Sequence, residues 1–103
     1  MDKVVALNEI LQFDPANAFA RYGLAMEHSA RGNPEAALAE FATCIEHNPD
    51  YVPAYQMSAQ TLLKLGRNES VLERIDAGIA AANRTGNTHA RSEMEAMRDE
   101  LAG

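Results

Sequence analysis

The sequence predicts an all-α fold of about six helices. Gly and Pro punctuate the chain between stretches in which apolar residues recur every three or four positions, the period of an amphipathic helix. Hydrophobic residues make up 47% of the 103, yet aromatics are only 6% and Trp is absent. Abundant alanine in such a background suits closely approaching helices better than a sheet sandwich. The pattern also recurs: Gly32 and Gly66 stand 34 residues apart, as do several apolar positions around them.

The first helix is expected from about Asp2 to Gln12, with Val4, Leu7 and Leu11 on one stripe, ending before Asp14-Pro15. The second spans about Asn17 to Arg31. Asn17 caps its start through the side-chain oxygen, Gly32 closes its end in the left-handed geometry, and Leu24, Ala25 and His28 share a face. A third opens at Asn33-Pro34-Glu35, with Asn as cap, Pro in the first turn where its missing N–H is not needed, and Glu complementing the helix dipole. Leu38, Phe41 and Ile45 form its stripe.

The stretch HNPDYVPAY, residues 47–55, then stops one helix and starts another. The ring of Pro49 clashes with a preceding turn, whereas Pro53 is tolerated in a first turn. Asp50 is the expected cap of a fourth helix that runs to about Leu65, where Gly66 ends it. The fifth runs from about Asn68 to Arg84 with Leu72, Ile75 and Ile79 inward. After Thr85-Gly86-Asn87 a sixth carries Ala90, Met94, Met97 and Leu101 as one narrow stripe among Arg and Glu, the pattern of a closing lid.

The 34-residue offset relates Ala20 to Ala54, Ala25 to Ala59, Glu35 to Glu69, Leu38 to Leu72, Ile45 to Ile79 and Pro15 to Pro49. These identities fall on capping glycines, on alanines suited to helix crossings and on core positions. A helix-turn-helix of that period resembles the tetratricopeptide repeat family. In the first repeat Leu24, Ala25, Gly32, Ala37, Phe41, Cys44 and Pro49 match the family pattern. In the second Ala59, Gly66 and Ile75 match, while Ser58, Val71 and Asn83 depart from it, and Arg21 and Tyr55 stand where the family favours Trp. The resemblance implies antiparallel helical hairpins stacked as a short right-handed α-solenoid. It implies a single domain over 1–103: an N-terminal half-repeat 1–17, repeats 18–51 and 52–85, and a closing helix 86–103. The layout is similar to small stand-alone bacterial proteins of this family.

Composition excludes several function classes. The net charge of −6 opposes binding to nucleic-acid backbones or anionic membranes. The single Cys44 forms no internal disulfide, and MDKVVALNEI lacks the basic start and apolar run of a signal peptide, so a cytoplasmic setting is expected. Cys44 and His47 are spaced as two metal ligands could be, but nothing supplies the remaining ligands of a structural zinc site. Cys44 is instead expected in the hairpin core, His47 at a helix end, His28 on an inward face and His89 at the opening of the last helix. No phosphate loop, dinucleotide fingerprint or nucleophile elbow appears. Neither an enzyme nor a cofactor site is expected.

The resemblance implies a concave groove lined by the first helix of each hairpin. Its candidate partner-binding residues are Phe19, Tyr22 and Met26 in the first repeat, Gln56, Gln60, Leu63 and Lys64 in the second, and Arg91, Glu95 and Arg98 on the closing helix. Phe19, Tyr22 and Met26 are also open to a core role against the first helix. Some family members grip a chaperone's C-terminal carboxylate with Lys, Asn and Arg; the matching positions here are Tyr22, Met26, Met57, Thr88 and Ser92, so that clamp is absent. The expected function is a scaffold or adaptor that binds a peptide segment of another protein. The alternative is a structural subunit, a homodimer or part of a larger assembly, docking through an N-terminal helix whose Val4, Val5, Leu7, Ile10 and Leu11 are more apolar than one packing face needs.

Overall fold

The computed structural model describes residues 2–103. Six α-helices follow one another among them: α1 (Lys3–Phe13), α2 (Ala18–Ala30), α3 (Pro34–His47), α4 (Val52–Lys64), α5 (Asn68–Thr85) and α6 (Thr88–Ala102). The chain forms two compact units, Met1–Pro49 and Asp50–Gly103. The division falls within the Pro49–Pro53 stretch that stops α3 and starts α4.

In the first unit α2 packs against both α1 and α3. Asp2 caps α1, its carboxylate accepting from the Val4 N–H at 2.9 Å and from Arg31 Nη2 at 2.7 Å. The Arg31 bond is the larger influence, and the two together hold the Asp2 carboxyl below its ordinary range. Asn17 caps α2 as expected, accepting from Ala20 N–H at 2.8 Å. Gly32 ends α2 at φ 79°, with Asn33 N–H donating back to the His28 carbonyl at 2.8 Å. Asn33 itself makes no side-chain cap bond to α3; Pro34 and Glu35 start that helix without one. Leu11, Ala20 and Leu24 form a buried cluster with Val4 and Leu7 beside it, and Ala25, Ala37, Phe41 and Cys44 are buried as well.

In the second unit α5 packs against α4 and α6, and α4 also touches α6. The expected Asp50 cap is corrected. The N-cap residue of α4 is Tyr51, without a side-chain cap bond, and Asp50 instead accepts from Arg84 Nε at 2.8 Å. With Pro53 placed in the first turn the helix begins at Val52, which leaves Asp50 one position too early to cap it, and the guanidinium engages its carboxylate instead. Gly66 and Gly86 close α4 and α5 at φ 74° and 70°, and Asn87 caps α6 by accepting from Ala90 N–H at 3.0 Å.

Gly78 marks a tight crossing. A Cβ there would stand 2.8 Å from Tyr55 Cβ and 2.5 Å from Met94 Sδ, so α5 approaches both α4 and α6 only because this residue lacks a side chain. Met94, Ile75, Val71 and Ser58 of this unit are fully buried. The Ser58 hydroxyl, where the family usually places leucine, is satisfied by the Tyr55 carbonyl at 3.1 Å.

Ala25 and Ala59 are both inaccessible to solvent, so Ala25→Leu or Ala59→Leu is expected to overpack and cost about 1–3 kcal/mol in urea unfolding. Gly78→Ala should cost a similar amount, about 1–3 kcal/mol; unchanged midpoints for all three would contradict the crossings. Removing residues from Asn87 onward uncovers the α5 face that holds Met94 and should lower the melting temperature or solubility. A truncated chain as stable and soluble as the whole one would remove the lid role of α6. Burial raises the Cys44 thiol pKa, opposed in part by the Arg21 charge. The folded thiol should therefore resist alkylation near neutral pH and react at once in denaturant; rapid labelling of the native protein would contradict its burial.

Candidate functional site

The first unit carries an open cleft of about 320 Å³ between α1 and α2. Lys3, Ala6 and Leu7 line it from α1, and Phe19, Gly23 and Met26 from α2. Glu27 closes one end and lies 3.6 Å from Lys3 Nζ. Gly23 sets the depth: a Cβ there would stand 3.1 Å from Leu7 Cδ2, so the two helices approach over a bare backbone. Phe19 is 69% exposed at the mouth. The walls are apolar, with one ion pair at the rim, a surface that offers van der Waals contact and a charge reference.

The structure separates the three residues that sequence grouped on α2. Phe19 and Met26 line the cleft. Tyr22 packs on Phe41 of α3, with ring centroids 5.9 Å apart and planes inclined by 58°, and is half-buried. Arg21, where the family favours Trp, ties the hairpin together. It donates to Glu40 of α3 at 3.3 Å and to the Pro15 carbonyl at 3.1 Å.

In the second unit Gln60, Leu63 and Lys64 are exposed along α4 and Gln56 is half-buried, donating to Glu93 of α6 at 3.4 Å. His89 Nε2 lies 3.1 Å from the same Glu93 oxygen. Both arginines of α6 reach toward α5: Arg91 Nη1 donates to Asn83 at 3.3 Å and Arg98 Nη1 to Asp76 at 3.3 Å. Arg91 also lies beside Glu95, with Nε 3.4 Å from Oε1. Their charge is therefore partly matched by neighbours, and Lys64 is the more openly presented cation.

Sequence reasoning did not identify Lys3, Ala6, Gly23 or Glu27 as lining a surface. The available signal was Gly23 itself, an isolated glycine inside a helical pattern, which usually has a packing reason. Cys44 is buried and its Sγ donates to the Ala18 carbonyl at 3.6 Å, so the thiol serves the hairpin core. Among the described residues no group of three His, Cys, Asp or Glu side chains is arranged to hold a metal ion, and no helix is long and apolar enough to cross a membrane.

A family model described as Tetratricopeptide repeat matches residues 28–91. No match was found among curated proteins. A tetratricopeptide repeat domain protein from Salinibacter ruber, solved by NMR, is 32% identical with a TM-score of 0.80, the match covering 85% of this chain and 89% of that one. Protein BPP2914 from Bordetella parapertussis is 22% identical with a TM-score of 0.81, covering 99% and 89% of the two chains. The TPR2B domain of yeast Sti1, solved in a complex with pHsp70, is 22% identical with a TM-score of 0.86, covering 96% and 79%. The glycine-closed hairpins, their repeat and the span of the family match lead to one assignment: the chain belongs to the tetratricopeptide repeat family.

Proposed function

We propose that this chain is a non-enzymatic protein-interaction module that binds a peptide segment of a partner protein. The observation that carries the proposal is the apolar cleft between α1 and α2, with Phe19 exposed at its mouth and Met26 in its wall. Exposed aromatic and Met side chains beside a depression are the anchors that dominate such interfaces, with polar groups around them adding specificity. The similarity to the yeast Sti1 domain, whose structure is of a complex with pHsp70, supports the class of function. At the positions where carboxylate-gripping members carry Lys, Asn and Arg this chain has Tyr22, Met26, Met57, Thr88 and Ser92, which favours an apolar mode of recognition. In the second unit the same reading assigns partner contacts to Gln56, Gln60 and Lys64 of α4 and to Arg91 and Arg98 of α6, with Tyr22 supporting the first set from behind.

A second reading rests on the rest of α1. Val5 is 49%, Ile10 40% and Phe13 90% exposed, an apolar display that suits docking into a larger assembly or a homodimer. Sedimentation across a concentration series separates the two, since a monomer at high concentration removes the homodimer.

With a partner isolated by pull-down and purified, the double variant Phe19→Ala, Met26→Ala should weaken binding by about 2 kcal/mol, roughly 30-fold. Glu46→Ala, on the exposed side of α3, should do little. Equal losses from both would place the function elsewhere on the chain. For an acidic ligand, Lys64→Gln should slow association and flatten its salt dependence; an unchanged salt slope would remove Lys64 from the interface. Arg91→Gln and Arg98→Gln also break bonds to α5, so a loss of stability should accompany any loss of binding in those variants.

A further inference from the structure

We infer that the α1–α2 cleft receives a single amphipathic α-helix of a partner protein, which completes a hairpin that α1 begins. This rests on the cleft being the binding surface and specifies what enters it. The basis is the chain's own repeat. The residues α3 buries are Ala37, Phe41 and Cys44, and 34 residues further on α5 buries Val71, Ile75 and Gly78. Of these positions Phe41 and Cys44 meet the preceding helix, and Gly78 meets both the preceding and the following one. Phe41 stacks with Tyr22 and Cys44 bonds to the Ala18 carbonyl, both on α2, while Gly78 lies beneath Tyr55 of α4.

The same positions in α1 are Lys3, Leu7 and Ile10. Here the Lys3 side chain is 80% exposed and Ile10 40%. The second unit shows what a helix in this place would also touch. There α4 packs on α5 and reaches α6 through Gln56 and Glu93. An equivalent helix on α1 would likewise meet α2, and the cleft is lined from both of these helices.

The chemistry of the occupant follows from the helices that fill the equivalent places. α2 meets α3 through Tyr22, Arg21 and the Ala18 carbonyl, and α4 meets Gly78 of α5 through Tyr55. The occupant therefore presents an aromatic side chain toward α1, with a small residue near its start where the backbone comes close. Its direction is set by the hairpins, in which Cys44 meets Ala18 and Glu40 meets Arg21, an antiparallel order. Lys3, at the start of α1, then falls beside the C-terminal half of the occupant. A cation there complements the negative end of the helix dipole and an acidic side chain in its last turns. A second copy of this chain does not supply such a helix, because the stripes of α2, α4 and α6 are already buried. Its α1 offers only the large Val5, Ile10 and Phe13.

The chain carries a probe of this chemistry in its own residues 17–31, with Ala18 and Tyr22 on the face that meets the next helix and Glu27 near the end. Placed directly ahead of Met1 as residues 17–34, this segment keeps the 34-residue register. The grafted protein should melt more than about 4 °C above the parent. Ile10→Glu should abolish that gain while shifting the ungrafted protein little. The free peptide should bind the parent below about 1 mM with increased helicity, and should not bind Ile10→Glu.

A graft that does not stabilise, a gain that survives Ile10→Glu, or a free peptide that does not bind each overturns the inference. So does a concentration-dependent dimer that buries α1, a partner bound in extended form, or a longer natural chain whose own preceding residues fill the cleft. The proposed function stands apart from these results. A purified partner whose binding is lost with Phe19→Ala, Met26→Ala while the graft fails would keep the interaction module and discard the helical occupant.

Discussion

Close approach of helices over residues with little or no side chain is the constraint on which both units depend. At Gly78 α5 comes near enough to α4 and α6 that a methyl group would collide with Tyr55 and Met94. At Gly23 α2 comes within tight contact of Leu7 on α1. Alanine, serine and cysteine fill many of the other buried positions, and larger side chains such as Tyr55 and Met94 pack over the bare glycine. The burial this allows must offset the conformational entropy of ordering the chain. The same constraint shapes the surface, since the α1–α2 cleft has its depth because Gly23 leaves the backbone bare.

Electrostatics fasten these hairpins at their edges. Asp2 with Arg31, Arg21 with Glu40, Asp50 with Arg84 and Asp76 with Arg98 each join different parts of the chain within one unit. The three more exposed pairs contribute about 1 kcal/mol or less each, while Arg21–Glu40 is half-buried, and all four orient helices that the apolar crossings also hold. Their functional consequence is larger. Arg91 and Arg98, which by sequence alone look available to an acidic ligand, are engaged with α5, whereas Lys3 and Lys64 present their charge more openly.

The fold was legible because its signals are local. The αL glycines Gly32 and Gly66, the Asn17 cap and the prolines at 49 and 53 act within a few residues of themselves, and the 34-residue offset reports the hairpin unit directly. What escaped depends on partners distant in sequence. Whether Asp50 caps α4 or meets Arg84 is decided by a residue of α5, and Asn33 has the composition of a cap without making its bond. Tyr22 and Met26 are equally apolar at helical spacing, but only the position of Phe41 makes one a packing residue while the other stays on the cleft. Gly78, like Gly23, is marked as an isolated glycine inside a helical pattern, but what it makes room for, Tyr55 and Met94, lies on other helices.

The central claim is that the α1–α2 cleft is where this chain meets its partner, and the methionine methyl groups report on it most directly. Met26 lines the cleft, whereas Met94 is buried in the second unit beside Gly78. In a methyl-labelled sample titrated with the purified partner, the Met26 resonance should move or broaden as the complex forms while that of Met94 stays in place. A partner that binds and leaves Met26 unperturbed would contradict the account.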